Sequence, residues 1–384
     1  MASQKTWAYV ISLVFVALFS LDGLVVSIAD AKELVIGYIS PQTGRVAKYG
    51  VKQKRGASMA IDEINSKGGV NGVKFRLVWA DSKCVPLEGI NAAERLIVRD
   101  KVDILMGETC SSTTLAVVKK VILEHKMILV VPTSTAPAIT SCTAPTKGYV
   151  FRMVPTNDLL ASQLAQYVID RKNIKKIAVI TDVSNDWSVT LRDAFIKEAK
   201  KRGISLVSNE SVQAREHDFY AVLNKIKSRK PGALFVNVMI DQGPTLVRQA
   251  KEIGLKTQLF SAQGLSTPDM EKAAGKEAEG MVALSFYHPS NPDPLTQKFA
   301  KAYAKRYPGV QPDHYDVQPY DALYLIADAL KRAGGDKSKL RQALKETKNF
   351  KGVLGTTTAF DECGQGPGQL MKIQFRNGKM VVIK

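Results

Sequence analysis

Apolar and polar positions follow a repeating rhythm along this chain. Short runs of branched apolar residues lead into polar turns, and each turn into apolar residues spaced three and four apart. Runs of four to eight such residues read as buried strands, and the 3.6-residue spacing reads as helices. The rhythm predicts a strand over 34–39, the turn Ser40-Pro41-Gln42-Thr43-Gly44, and a helix over 49–66 that buries Ala57, Ala60, Ile61 and Ile64. After a glycine-rich loop at 67–72 come a strand over 75–80, a helix over 86–99, a strand over 104–106, a helix carrying Leu115, Val118 and Ile122, and a strand over 128–131. Strictly alternating strands and helices imply parallel sheets with helical crossovers, an α/β fold.

The alternation restarts after an extended stretch at 149–155 that ends in the helix-capping run Thr156-Asn157-Asp158. Helices over 159–171, 188–202, 218–228 and 243–253 interleave with strands over 176–180, 204–207, 233–238 and 258–260. A strand over 281–286 then enters the proline-rich segment 287–294, and helices follow over 295–307, 320–332 and 339–347. Strands over 372–376 and 379–383 flank Asn377-Gly378, the signature of a hairpin with a type I′ turn. Two similar blocks without a visible sequence repeat predict two lobes with a cleft between their strand ends. The expected division is residues 1–31 as a leader, 32–154 plus 286–368 as lobe 1, and 155–285 plus 369–384 as lobe 2.

Two turns carry the first candidate chemistry. The strand ending at Met106-Gly107 runs into Glu108-Thr109-Cys110-Ser111-Ser112-Thr113-Thr114, and the strand ending at Val131 runs into Pro132-Thr133-Ser134-Thr135. Ser111 or Ser112 suits an N-cap, and free N–H groups at a helix start favour an anion. Each turn alone is explained by capping. Side by side at the carboxyl ends of parallel strands, the pair makes a cradle for a carboxylate or amide.

The N-terminus changes the compartment. Lys5, an apolar stretch over 7–19 and Ala29-Asp30-Ala31 form a secretory-signal pattern, and Asp22 interrupts the roughly 20 uncharged residues that a membrane span needs. No cysteine near the cleavage point offers a lipid anchor, so a soluble, exported, periplasmic protein is expected, starting near Lys32. The roughly 350 residues beyond it exceed one ordinary core, again favouring two lobes. The net charge of +18 raises nucleic acid or another polyanion as a partner, but the basic residues are spread over nearly every predicted helix without interleaved aromatics, and export argues against nucleic acid. Four cysteines in an exported chain invite disulfides. Cys84 and Cys110 each follow a strand of the first lobe and are expected to pair. Cys142 and Cys363 remain, either bonded, tying the chain end to the first lobe, or free and buried.

Catalytic signatures are missing: no glycine-rich phosphate loop with lysine, no His-Glu-x-x-His, no Gly-x-Ser-x-Gly and no Cys-x-x-Cys. His125, His217, His288 and His314 lack metal-ligand spacing. Neither an enzyme nor a cofactor or metal site is expected. What remains is a set of hydroxyl, amide and aromatic residues at strand ends: Tyr49, then Thr109, Cys110 and Ser111, then Thr133, Ser134 and Thr135, then Trp187, Met239 and Gln263. Such a set binds a small molecule without transforming it. Packing alone also accounts for Tyr49 and Trp187, and a cap before Gly264 accounts for Gln263.

The runs Gly-Tyr-Ile-Ser-Pro-Gln-Thr-Gly-Arg-Val-Ala-Lys-Tyr-Gly (37–50), Ala-Ile-Asp-Glu-Ile-Asn-Ser-Lys-Gly-Gly-Val-Asn-Gly (60–72), Cys-Ser-Ser-Thr (110–113) and Pro-Thr-Ser-Thr-Ala-Pro (132–137) resemble the leucine/isoleucine/valine-binding periplasmic proteins, type I solute-binding proteins of ATP-driven (ABC) importers. The likeness spans nearly all of 33–384. It implies two doubly wound lobes joined by three hinge crossings that close on a ligand, a small organic solute as ligand, an inner-membrane ABC permease as partner, and a monomer. By the same resemblance Ser111, Thr133 and Thr135 hold the ligand carboxylate, Tyr49, Trp187 and Met239 are pocket positions, Tyr315 is an aromatic beside the hinge, and Cys84–Cys110 is the family's disulfide. One position departs. Amino-acid binders of the family place a glutamate on the ligand ammonium where this chain has Gln263, and a buried ammonium without a counter-charge costs several kcal/mol. Unless Asp182, Asp186 or Asp241 substitutes, the expected ligand is a carboxylate or amide without an α-ammonium, an aromatic or aliphatic acid. Branched-chain amino acids, and a sensor of the same fold, are the alternatives.

Overall fold

The computed structural model describes residues 32–172, 174–355, 357–368 and 370–383. The expected signal peptide at 1–31 lies outside the described residues. Among the described residues no helix is long and apolar enough to cross a membrane.

The first sheet is built from β1 (Glu33–Ser40), β2 (Lys74–Asp81), β3 (Ile104–Gly107), β4 (Leu129–Val131) and β5 (Val150–Arg152), all parallel in the order β2-β1-β3-β4-β5. Alternate side chains serve opposite faces, as the pleat dictates. Leu34, Ile36, Tyr38, Ile104, Met106, Val130 and Phe151 enter one core, against α1 (Ala47–Ser66) and residues of a long late helix, while Leu105, Leu129, Val131 and Val150 enter another under α2 (Pro86–Glu94) and α3 (Ser111–Val117). Both faces are therefore covered, which is why these strands read as continuous apolar runs. Helix α2 continues as a π-helical turn over Arg95–Arg99, and α3 continues through another over Val118–Ile122 to His125.

The second block comprises α4 (Asn157–Lys172), β6 (Lys176–Asp182), α5 (Asp186–Lys201), β7 (Ser205–Val212), α6 (Tyr220–Ser228), β8 (Ala233–Asn237), α7 (Gly243–Glu252), β9 (Gln258–Ser261), α8 (Pro268–Ala274) and β10 (Val282–Ser285). The chain then returns to the first sheet through α9 (Pro294–Arg306), α10 (His314–Arg332), α11 (Leu340–Lys345) and a small ladder of β11 (Phe350–Lys351) with β12 (Thr357–Thr358), before β13 (Met371–Arg376) and β14 (Lys379–Ile383). The second sheet runs β14-β13-β10-β9-β8-β6-β7, with β13 alone running antiparallel to both its neighbours. Asn377 and Gly378 both have positive φ, 52° and 73°, the type I′ geometry that their sequence predicts. The chain thus passes between the sheets three times: after β5, after β10 and before β13.

Three sequence expectations are corrected. Helix α10 begins at His314, six residues before the expected start, although Pro319 lies within it. A capping box on Asp313 fixes that start, with the Asp313 carboxylate taking N–H bonds and the Asp316 side chain accepting from the Asp313 N–H (3.0 Å), so the proline falls early enough to be tolerated. Helix α8 was not anticipated, its Pro268 start being masked by a short polar run. Neither Ser111 nor Ser112 caps α3. Cys110 occupies that position with no side-chain cap, and the Ser111 hydroxyl accepts instead from the Ala136 N–H of the neighbouring turn (3.3 Å).

Both disulfides form, Cys84–Cys110 and Cys142–Cys363, with Cα–Cα separations of 5.6 and 4.7 Å. The first pins the β3 turn to the β2 turn. The second closes a loop across 221 residues.

Candidate functional site

A small cavity lies where the carboxyl ends of the two sheets meet. Topology decides which residues reach it. In the first sheet the strand order reverses between β1 and β3, and in the second between β6 and β8, so the turns after those strands converge on a crevice.

The first sheet contributes Tyr49, Thr109, Thr133, Ser134 and Thr135. Hydrogen bonds hold these turns before any ligand is considered. Thr109 donates to Gln53 Oε1 (2.8 Å) while Gln53 Nε2 donates to Thr133 (3.1 Å), so one buried amide on α1 sets the spacing of two hydroxyls. Ser134 donates to the Glu108 carbonyl (2.6 Å) and lies 2.6 Å from the Thr114 hydroxyl. The backbone N–H groups of Ser134 and Thr135 donate to no protein atom among the described residues. Under the turn, the Glu108 carboxylate accepts from Ser82 Oγ and the Cys110 N–H (2.6 Å each), and burial pushes it up to about 7.

The second sheet contributes Trp187, Met239, Gln263 and Gly264. Asn185 caps α5 by accepting from the Trp187 N–H (2.8 Å), which fixes where the indole begins. Gly264 packs closely beside it: a Cβ there would stand 3.0 Å from the ring. Trp187 Nε1 and Gln263 Oε1 are buried without a partner in the protein. The hinge side adds Phe286, His314 and Tyr315. Tyr315 stacks on Tyr49 with ring centroids 4.1 Å apart, and both nitrogens of His314 lack partners, burial lowering its pKa to about 4 so that the ring is neutral. Among the described residues no Asp, Glu, Lys or Arg lines the cavity.

Side chains from α1 and the turn before it bridge the two lobes. Arg45 donates to Asp182 (2.6 Å) and Asp241 (3.1 Å), the Tyr49 hydroxyl donates to the Gly264 carbonyl (3.0 Å) and accepts from the Ile240 N–H (3.1 Å), and Lys52 reaches Asp269 and Asp313 (2.5 Å each). Burial opposes the Arg45 charge, but Asp241 and Asp182 outweigh it and raise its pKa. Burial raises that of Asp241. Asn157, at the first crossing, accepts from Thr135 (2.7 Å) and donates to the Trp187 carbonyl (2.9 Å). Gly56 lets α1 lie against the α10 backbone, since a Cβ there would fall 1.7 Å from the Asp316 carbonyl oxygen.

The sequence profile of the family described as periplasmic binding protein matches residues 33–379. The chain belongs to this family. Leucine/isoleucine/valine-binding proteins of its type I branch are among the chains it is similar to. An amino acid binding protein of Pseudomonas aeruginosa is 31% identical over 320 residues, 82% of each chain. The leucine binding protein LivK of Thermotoga maritima superposes with a TM-score of 0.85 at 27% identity, covering 91% of this chain and 98% of its own. The branched-chain amino acid transporter substrate binding protein LivJ of Streptococcus pneumoniae, in complex with isoleucine, gives 0.84 at 25% identity, covering 92% and 99%. The chain is accordingly a periplasmic solute-binding component of an ABC transporter, a protein that binds its solute and does not transform it.

In this binding protein the cavity collects Tyr49, Thr109, Thr133, Ser134, Thr135, Trp187, Met239, Gln263 and Tyr315. Two candidates stand apart from its lining. Cys110 is consumed in the disulfide, and Ser111 is fully buried against Ala136. Asp182 and Asp241, considered as partners for a ligand ammonium, are held by Arg45, and Asp186 is exposed. Sequence reasoning missed Gln53, Arg45 and Lys52. For two of them the signal was available, because Lys52 and Gln53 follow Tyr49 at spacings that share a helix face.

Proposed function

We propose that the cleft binds a small organic carboxylate or amide without an α-ammonium, most suitably an aromatic or aliphatic acid, and presents it to an inner-membrane permease. The observation that carries this reading is the uncharged lining. The head of an acid meets the Thr133 hydroxyl, whose proton is uncommitted, and the unpaired N–H groups of Ser134 and Thr135, a set that stabilises a carboxylate as an anion nest does. Tyr49, Tyr315, Trp187 and Phe286 suit a flat or apolar body. An α-ammonium would face Gln263 and a neutral His314 instead of a carboxylate, and its desolvation would go unrepaid. The lobes are assigned as 32–154 plus 286–368 and 155–285 plus 369–384, acting as a monomer. Closure contacts such as those of Tyr49 let ligand shift an open–closed equilibrium in proportion to what it gains on closing.

A second reading, branched-chain amino acids, is favoured by the relatives named for leucine and isoleucine. Thermal melting across matched acids, amides and amino acids separates the two, since ligand at a hundredfold over Kd stabilises by about 2.7 kcal/mol. Stabilisation by acids is expected; stabilisation by leucine or valine alone refutes the proposal. Gln263→Glu should strengthen amino-acid binding and weaken that of simple acids by tenfold or more, and an unchanged pair of affinities would remove Gln263 from the site.

A further inference from the structure

We infer that Arg45 is a specificity-determining residue: on closure it takes up the two second-lobe carboxylates, Asp182 and Asp241, that would otherwise serve a cationic ligand group. This deepens the ligand class proposed above and rests on it only for the direction of the unaltered protein's preference.

Three observations place the charge where it matters. Arg45 stands in the turn after β1, whereas Asp182 ends β6 and Asp241 follows β8, the strands that flank the second sheet's reversal of order. The guanidinium binds both acids at once, through Nη2 to Asp182 and Nη1 to Asp241, and Nη2 also lies 3.3 Å from the sulfur of Met239, which lines the cavity. The Asp182 carboxylate is fully buried, and Asp241, held by Arg45 through Oδ2, leaves its Oδ1 without a partner among the described residues.

With Arg45 in place, one positive charge faces two negative ones directly behind Met239. Without it, two uncompensated carboxylates would stand at that wall, stabilising an ammonium and repelling a carboxylate. Arg45 and a ligand cation therefore compete for the same acids. The competition exists only in the closed form, because the arginine and the acids come from different lobes. Lysine would not substitute fully, since the planar fork is what reaches both carboxylates together.

The test uses two matched ligand pairs that differ only in the ammonium: 4-methylpentanoate with leucine, and 3-phenylpropanoate with phenylalanine. Titration calorimetry at fixed ionic strength gives the acid-to-amino-acid affinity ratio for each protein. R45Q should move that ratio toward the amino acid by tenfold or more, as one uncompensated charge at this range predicts. D241N, which leaves Arg45 balanced by Asp182 alone, should move it the opposite way. R45Q/D182N/D241N, which leaves this wall neutral as D241N does, should bring it to within about threefold of D241N. Ligand-free melting reports folding, and if R45Q does not fold, D241N alone carries the sign. Equal losses for both members of a pair in R45Q, no gain of amino-acid binding, or a D241N shift in the same direction as R45Q would overturn the assignment. A preference of the unaltered protein for leucine over 4-methylpentanoate would refute the ligand class instead, leaving the shift caused by R45Q to judge Arg45.

Discussion

The two walls of the cavity are built on opposite plans. On the first-lobe wall, hydroxyls are already bonded to one another and to Gln53, Glu108 and Thr114, so the turns are rigid and their free N–H groups are aimed before a ligand arrives. On the second-lobe wall, Trp187 and Gln263 hold buried polar atoms with no partner among the described residues, and position is set by the Asn185 cap, the Asn157 bond to the Trp187 carbonyl and the Gly264 contact. A preorganised wall loses little entropy on binding and suits the part of a ligand that every substrate shares. A wall of large side chains with unmatched polar atoms discriminates, because an ill-matched ligand leaves those atoms unpaired at a cost of about 1–3 kcal/mol each.

Buried charge gives the largest contrast. Glu108 lies under the first-lobe turn with its carboxyl raised from 4.5 to about 7, so the folded state holds a proton that the unfolded chain releases. Its stabilising contribution is full below about pH 4.5 and is lost as pH rises through 7. The isosteric E108Q should match the unaltered protein in acid and gain on it by up to about 3 kcal/mol by pH 8, measured as the difference in denaturant unfolding. A difference that stays constant with pH would mean that the turn does not bury a titrating carboxyl.

Next in size is the scaffold of the first-lobe wall. Gln53→Leu removes both bridging hydrogen bonds and frees Thr109 and Thr133, and should weaken every ligand alike by about 2 kcal/mol, roughly thirtyfold. Smallest is Trp187→Phe, which keeps an aromatic face and deletes Nε1. Its expected effect is about 1 kcal/mol, varying with the ligand body. If Gln53→Leu instead discriminated among ligands and Trp187→Phe did not, the division of labour between the walls would be reversed.

Much of this was legible along the chain. Apolar runs of the right length, each ending in a polar turn, gave the central strands of both sheets because those strands are buried on both faces and have no polar side to obscure them. Strand-end placement likewise picked out Thr133, Trp187 and Gln263, since parallel sheets bring those ends to a crevice. The start of α10 was hidden because Pro319 reads as a breaker, while the capping box that overrides it spans only Asp313 to Asp316. Ser111 was misplaced for a related reason: whether a hydroxyl caps its own helix or serves a neighbouring turn depends on what that turn offers, here the Ala136 N–H.

The sequence by itself determined the alternation, the hairpin at Asn377-Gly378 and the family, because these rest on local conformational preference and on patterns that survive without knowledge of neighbours. Tertiary structure alone decided which polar residues are spoken for. Gln53 joins two hydroxyls from different turns, and Arg45 meets acids 137 and 196 residues further along. Charge and hydrogen-bonding capacity act through space over a few ångströms. Their effect on the cavity was fixed only when two sheets, folded from separate parts of the chain, set their strand ends face to face.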